Sequence, residues 1–288
     1  MRTLKIACSF GAFLVIVIFL YSCATVPLTG RKQLSLVNES EVMSLSLSQY
    51  DQFIKSNKIS SNKVETDRIR RVGNRIAVSV EEFFSNSGQH AYLEGYQWEF
   101  NLIEDKAVNA WCMPGGKVVV YTGILPLMKN DAQLATVMSH EIAHAVARHG
   151  GERMSEQLVA QGAGAALSVA LSQKPKETQQ LALAAFGLGT QVAYLLPFSR
   201  THEYEADELG LYFMAMSGYD PAQSIDFWKT MAASNQSKTP ELLSTHPLDA
   251  NRIARITQKL PEAMKYYSPQ AQPGQQGQQA PKAPQGKK

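Results

Sequence analysis

Residues 138–149 read MSHEIAHAVARH, and within them His140, Glu141 and His144 stand in the spacing H-E-x-x-H. In a helix of about 3.6 residues per turn, positions four apart lie about 40° apart on one face, so the two imidazoles can share one Zn²⁺. Glu141, beside the first of them, is then in reach of an activated water. The flanks predict the helix: Asp131 as N-cap, Leu134, Val137, Met138, Ile142 and Ala145 as an apolar stripe, and Gly150-Gly151 as the stop. Chance alone puts such a spacing into on the order of one chain in a hundred of ordinary composition, so the assignment needs a second cluster.

That cluster is 199–210, SRTHEYEADELG. Helical spacing of Leu209, Tyr212, Phe213 and Met216 predicts a helix, on which Glu203 and Asp207 share a face. A catalytic zinc takes three protein ligands and keeps a fourth position open, and His, His, Glu is one such set. Glu203 is therefore the expected third ligand, with His140 and His144. Asp207 is expected behind it, accepting the other ring N–H of a ligand histidine. Glu205 and Glu208 point off that face. A solvated acidic helix is the alternative. His149, about 140° round from His144, is expected either as a cation at a helix C-terminus or as a structural hydrogen-bonder. Glu152 and Arg153 are expected at the surface.

The 288 residues are 44% hydrophobic, enough for a substantial core, and the formal charge of +3 gives no basic footprint for nucleic acid. Arg2 and Lys5 followed by an apolar run predict a signal segment at 1–22, ending in Leu20-Tyr21-Ser22-Cys23, a lipobox-like junction at which Cys23 is acylated. An uncleaved membrane anchor is the alternative. Either tethers the domain to a membrane; Ala24 and Thr25 lack the Asp that holds bacterial lipoproteins at an inner membrane, and that resemblance implies an outer membrane facing the periplasm in a source with two membranes. Cys112 is then the sole cysteine left without lipid, expected as a buried thiol. A tether at 23–36 leads into a domain at 37–267. The Pro/Gln/Gly-rich stretch 268–288 is expected to be disordered.

Within the domain, helices are expected at 38–55 and 64–84, the second from the spacing of Ile69, Val72, Ile76, Val80 and Phe83. Strands are expected at 97–103, 108–112 and 118–122. A strand before a metal-binding helix can offer its free edge to an extended peptide, and Asn109, Ala110 and Trp111 are the candidate edge. An ordinary hairpin with Trp111 in the core fits equally well. The apolar runs 163–171 and 181–196 are read as buried or groove-lining helices, with a transmembrane hairpin as the alternative. The fold class is α+β, mainly α-helical, with a small sheet beside the HExxH helix.

Together HEIAH, SRTHEYEADELG, VNAWCMPGGKVVVYTGIL and STHPLDANRI resemble the gluzincin zinc metallopeptidases of the HtpX and CaaX prenyl protease type over about 34–260. Lacking their several spans, the chain is similar to the soluble periplasmic lipoprotein branch. The resemblance implies a zincin-like domain and one Zn²⁺ per chain. It also implies protein or peptide substrates, and outer-membrane protein assembly machinery as a partner. It places His246 near the metal, where it stabilises an oxyanion, fills the open zinc position, or is structural. Arg252 is expected either to pair with an acidic helix residue or to stabilise developing charge. The activity implied is endopeptidase cleavage of misfolded or unassembled envelope proteins, with Glu141 as general base. A chaperone-like assembly factor with gated proteolysis is the second class, and a hydrolase acting on something other than protein the third.

Overall fold

A computed structural model describes residues 23–234, 240–248 and 251–269. The expected signal segment 1–22 and the tail from 270 lie outside the described residues. Residues 23–34, expected as a tether, instead form an antiparallel hairpin, β1 (Cys23–Thr25) with β2 (Lys32–Leu34). Val26 and Gln33 anchor it by burying themselves against the domain.

Two helices follow. In α1 (Glu39–Ser56) the Asn38 side chain caps the N-terminus by accepting from Ser40 N. In α2 (Lys63–Asn86), Asn62 does the same for Glu65 N, and Ile69, Val72, Ile76, Val80 and Phe84 lay a continuous buried stripe at helical spacing.

The sheet has the order β3 (Glu99–Ile103), β5 (Lys117–Tyr121), β4 (Ala110–Met113), with β3 parallel and β4 antiparallel to the central β5. Val118, Val119 and Val120 of β5 are all fully buried, because both faces of the sheet are covered. Val118 and Val120 join the main core, while Val119 joins a smaller cluster with Tyr50 of α1, where Phe53 and Trp111 also pack. β4 keeps one edge unpaired within the sheet.

Helix α3 (Asp131–Val146) carries the HExxH residues through the middle of the domain and is buried on every face from Gln133 onward. Its cap is Asn130, which accepts from Gln133 N at 2.8 Å, not Asp131. Asp131 sits in the first turn and pairs with Arg68 and Arg71 of α2, both at 2.8 Å. Nor do Gly150 and Gly151 stop the helix. Arg148 does, in a left-handed conformation (φ 59°), and the two glycines fall in the first turn of α4 (His149–Ala170). That conformation is uncommon for a residue with a Cβ. It is held by the Arg148 guanidinium lying 4.1 Å over the Tyr92 ring and donating to Tyr92 O at 3.2 Å.

Next come α5 (Lys176–Thr190), a π-helical turn Gln191–Leu195, and α6 (Leu196–Met216). The expectation that the runs 163–171 and 181–196 are buried does not hold; of the groove-lining alternative, Gln191, Leu195 and Leu196 border a cavity of about 190 Å³. No residue of α5 is buried, and Val169, Leu181 and Leu188 are all at least two-thirds exposed. What these small and apolar residues do instead is pack α5 on α4, with Phe186 set against Gly164. By length and composition, Lys176–Met216 is apolar enough to cross a membrane. The C-terminal half of α6 turns inward and packs along α3, and Gly210 is what lets it approach: a Cβ there would stand 3.3 Å from His140 N. Three further helices close the domain over α3 and α6: α7 (Gln223–Ser234), α8 (Glu241–Thr245) and α9 (Arg252–Ala263).

Candidate metal centre

The close crossing of α3 and α6 brings together side chains some sixty residues apart in sequence. Nε2 of His140 and Nε2 of His144 are 3.2 Å apart, and Glu203 offers Oε2 to the first and Oε1 to the second, each at 3.4 Å. His246, on the loop after α8, adds Nδ1 at 3.4 Å from His140 Nε2 and 2.9 Å from Glu203 Oε1. Donors about 2.0–2.1 Å from a tetrahedral zinc are spaced roughly 3.3 Å from one another. The spacings among His140, His144 and Glu203 match that figure, and the donor set is the nitrogen and oxygen mixture zinc prefers. His246 Nδ1 joins the same cluster, at hydrogen-bond distance from Glu203.

The electrostatics fit a cation in the same place. Burial alone would raise the Glu203 carboxyl, but His144, His140 and His246 outweigh it and hold it well below its ordinary value. Burial also works against charge on the imidazoles of His140 and His144. It carries His144 down to about 3, whereas Asp207 and Glu203 reverse it at His140, raised to about 9. Glu141 is 3% exposed and its Oε1 has no hydrogen-bond partner; its closest basic neighbour is His246 Nε2, at 3.6 Å. Burial pushes its carboxyl upward. A buried carboxyl with one oxygen free of hydrogen bonds, next to three converging donors, is placed to receive a proton from something bound between them.

Asp207 lies behind His140, with Oδ1 3.1 Å from Nδ1 of that ring. Arg252 grips Asp207 with two bonds, of 2.7 and 2.8 Å, reaches Glu203 Oε2 at 3.1 Å, and donates to the carbonyls of His246 and Pro247. It is fully buried and stacks 4.2 Å over Trp228. Of the two expectations for Arg252, ion pairing with acidic helix residues is what the geometry displays; the guanidinium lies behind the ligands and does not line the groove in front of them.

That groove, about 270 Å³, runs between β4 and the α3–α4 junction, past Glu141, His144 and His246. Tyr121 N donates to Asn109 O, so odd-numbered residues of β4 turn their backbone groups to β5 and even-numbered ones turn theirs outward. Outward-facing Val108 O is taken by Leu242 N of α8, and Ala110 N by the Asn109 carboxamide, which also reaches Glu241. Among the described residues nothing takes the carbonyl of Ala110 or either backbone group of Cys112, and these remain along the groove. Trp111 faces the other way, edge-on to Phe53 at 4.9 Å, so the strand is at once a core hairpin and a groove edge. Cys112 is partly buried, and burial raises its thiol well above the ordinary value, as suits an inert sulfhydryl. Cys23 is exposed at the start of β1.

Sequence spacing did not reveal the shell behind His144. The left-handed Arg148 turns the chain so that His149 Nδ1 comes 2.8 Å from His144 Nδ1, and His149 Nε2 meets Glu205 Oε2 at 2.9 Å. His149 is fully buried and burial lowers it well below its ordinary value, so it is a structural hydrogen-bonder and not a helix-terminal cation. Glu152, expected at the surface, is 2% exposed, bound to Arg31 and to His202. The one signal in the sequence was a third histidine five residues after the second, and its meaning depended on a backbone conformation that helical periodicity excludes.

The sequence model described as Peptidase family M48 matches residues 65–260, well over half of the chain. Among curated relatives, a protein named Mitochondrial metalloendopeptidase OMA1 from Schizosaccharomyces pombe is 37% identical over 176 residues, covering 58% of this chain and 48% of its own length. Metalloendopeptidase OMA1, mitochondrial, from Homo sapiens is 29% identical over 269 residues, 89% of this chain and 49% of its own. The Beta-barrel assembly-enhancing protease of Escherichia coli is 32% identical over 170 residues, 57% and 35% respectively. The chain thus spans roughly a third to a little over half of the relatives it matches. Relatives named mitochondrial, matching up to nine-tenths of the chain, overturn the expected outer-membrane, periplasm-facing location. The metal such a centre takes is zinc. The resemblance drawn from HEIAH and SRTHEYEADELG holds at the level of the family: the chain belongs to peptidase family M48.

Proposed function

We propose that the chain hydrolyses peptide bonds in extended, unfolded protein segments, with His140, His144 and Glu203 holding the zinc and Glu141 as general base. The observation that carries this reading is the set of donor spacings near 3.3 Å, with the buried Glu141 carboxyl beside them, its Oε1 making no hydrogen bond, and a groove that ends on an open strand edge. Zinc bound there supplies a Lewis acid that lowers the pKa of a water to about 7 and polarises a carbonyl. Glu141 takes a proton from the attacking water and returns it to the leaving nitrogen, so a C–O bond forms as the C–N bond breaks. Ala110 O and the Cys112 backbone hold the substrate as an added strand, while Asn109 fixes the start of that edge. Main-chain recognition asks for an unfolded segment more than for particular side chains, which suits protein quality control. His246 Nδ1, at the fourth vertex, makes this a closed arrangement that substrate must displace.

Casein cleavage and zinc content of the purified chain test the reading. Glu141→Gln is expected to keep zinc and lose activity by at least a hundredfold, the scale of a general base; Glu203→Ala to lose both; and His246→Ala to cleave faster than the unchanged chain. Equal cleavage by the parent, Glu141→Gln and Glu203→Ala would reject it.

A further inference from the structure

The turn between β1 and β2 is built around two left-handed residues, Leu28 (φ 69°) and Gly30 (φ 70°), and it aims Thr29 and Arg31 at the back of the metal centre. A branched residue such as Leu adopts that conformation only where its surroundings enforce it. Arg31 Nε lies 2.7 Å from Glu205 Oε2, while Nη1 and Nη2 bind the two oxygens of Glu152 at 2.8 and 2.6 Å. Thr29 Oγ1 donates to the other oxygen of Glu205 at 2.5 Å. Both carboxylates are at most 5% exposed.

From Glu205 the contacts run straight to a ligand. Its Oε2 is 2.9 Å from His149 Nε2, and His149 Nδ1 is 2.8 Å from His144 Nδ1. Of two ring nitrogens in hydrogen bond, one carries the hydrogen and the other the lone pair. If His144 is to give the metal its Nε2 lone pair, its hydrogen is on Nδ1 and is donated to His149 Nδ1. His149 then carries its own hydrogen on Nε2 and donates it to Glu205. Reversing His149 would place a hydrogen on its Nδ1, turn His144 Nδ1 into the acceptor, and move the His144 hydrogen onto Nε2, where it blocks metal binding.

We propose that Arg31 is a positioning residue of the metal centre: it holds the Glu205 carboxylate as the terminal acceptor that keeps His149, and through it His144, in the tautomer that binds zinc. The N-terminal hairpin, which precedes the family match at 65–260, is thereby part of the working site. This rests on the reading of His140, His144 and Glu203 as the zinc ligands.

The test is zinc affinity of the full chain, measured by competition with a chelator, for Arg31→Ala, Arg31→Lys and, as control, the exposed neighbour Lys32→Ala. Partners behind a metal ligand typically change affinity about 10–100-fold, and Arg31→Ala is expected at the lower end, near tenfold. Arg31→Lys keeps the charge without the fork and should fall between; should Arg31→Ala fail to fold, it decides alone. Lys32→Ala should bind as the parent does. A cavity of about 350 Å³ borders Thr29, Arg31 and Glu205, so added methylguanidinium should restore affinity in Arg31→Ala and do nothing for the parent. A purely structural role for Arg31 gives no such rescue. Unchanged affinity in both Arg31 variants, or lost affinity that methylguanidinium leaves lost, would overturn the proposal. A parent chain that binds no zinc would sink the underlying reading as well.

Discussion

A guanidinium with no exposed surface is tolerable only when its donors are all taken, and Arg252 meets that condition with Asp207, Glu203 and the carbonyls of residues 246 and 247. It holds Glu203 and Asp207 at fixed separation. Replacing it by Leu leaves two buried carboxylates facing each other without that cation, at a cost of about 3–5 kcal/mol. Urea denaturation of Arg252→Leu should show a loss of that size without zinc and a smaller one with zinc, since the metal then supplies the missing charge. Equal stability of variant and parent would mean the acids are balanced by something else. At this scale the sequence was informative where chemistry imposes a spacing. His140, Glu141 and His144 are fixed by four-residue periodicity, and Glu203 and Asp207 by the same periodicity in a second helix. Arg252 was legible only as two alternatives, because the choice depends on which way a buried side chain faces.

Among the elements, α3 and β4 define the groove for different reasons. The HExxH helix is buried all round, so its two histidines are held by packing and not by their own turn alone. β4 contributes an edge, and its register leaves the Cys112 N–H directed at the groove. Proline at 112 removes that donor without touching a bond to β5, as edge strands permit. Cys112→Pro is therefore expected to keep the fold by circular dichroism while kcat/KM on peptides drops about tenfold, the worth of one hydrogen bond. Undiminished turnover would argue that peptides do not add to this strand. Sequence periodicity located α1, α2 and all three strands to within a few residues. It failed at the end of α3, where Arg148 and not a glycine breaks the helix, and at 163–196, whose low charge was taken for burial. Small and apolar residues there serve the contact between α4 and α5, and leave the outer faces exposed.

Taken as a whole molecule, the site draws on the N-terminal hairpin, α3, α4, α6 and the loop before α9, so stability and metal binding share one buried charge network. Glu152 is its most sensitive member. Burial alone would raise its carboxyl, but Arg31 and His202 bring it from 4.5 to about 2. A group lowered on folding stabilises the native state above its unfolded value, and the contribution, up to about 3 kcal/mol, is lost as pH falls from about 4.5 toward 2. Melting temperature should accordingly fall more steeply between pH 5 and about 3 in the parent than in Glu152→Gln; parallel curves would contradict it. Beyond His149 as a hydrogen-bonder this network was not legible beforehand, since Arg31 reaches Glu152 and Glu205 over more than a hundred positions and His149 reaches His144 through a turn that helical spacing does not allow. The central claim, that two distant helices share one ion, is tested most directly by anomalous diffraction at the zinc edge from crystals grown with the metal. The expected result is a single peak about 2.0–2.2 Å from Nε2 of His140, Nε2 of His144 and a carboxylate oxygen of Glu203. A peak elsewhere, or one at the histidines with Glu203 turned away, would contradict it.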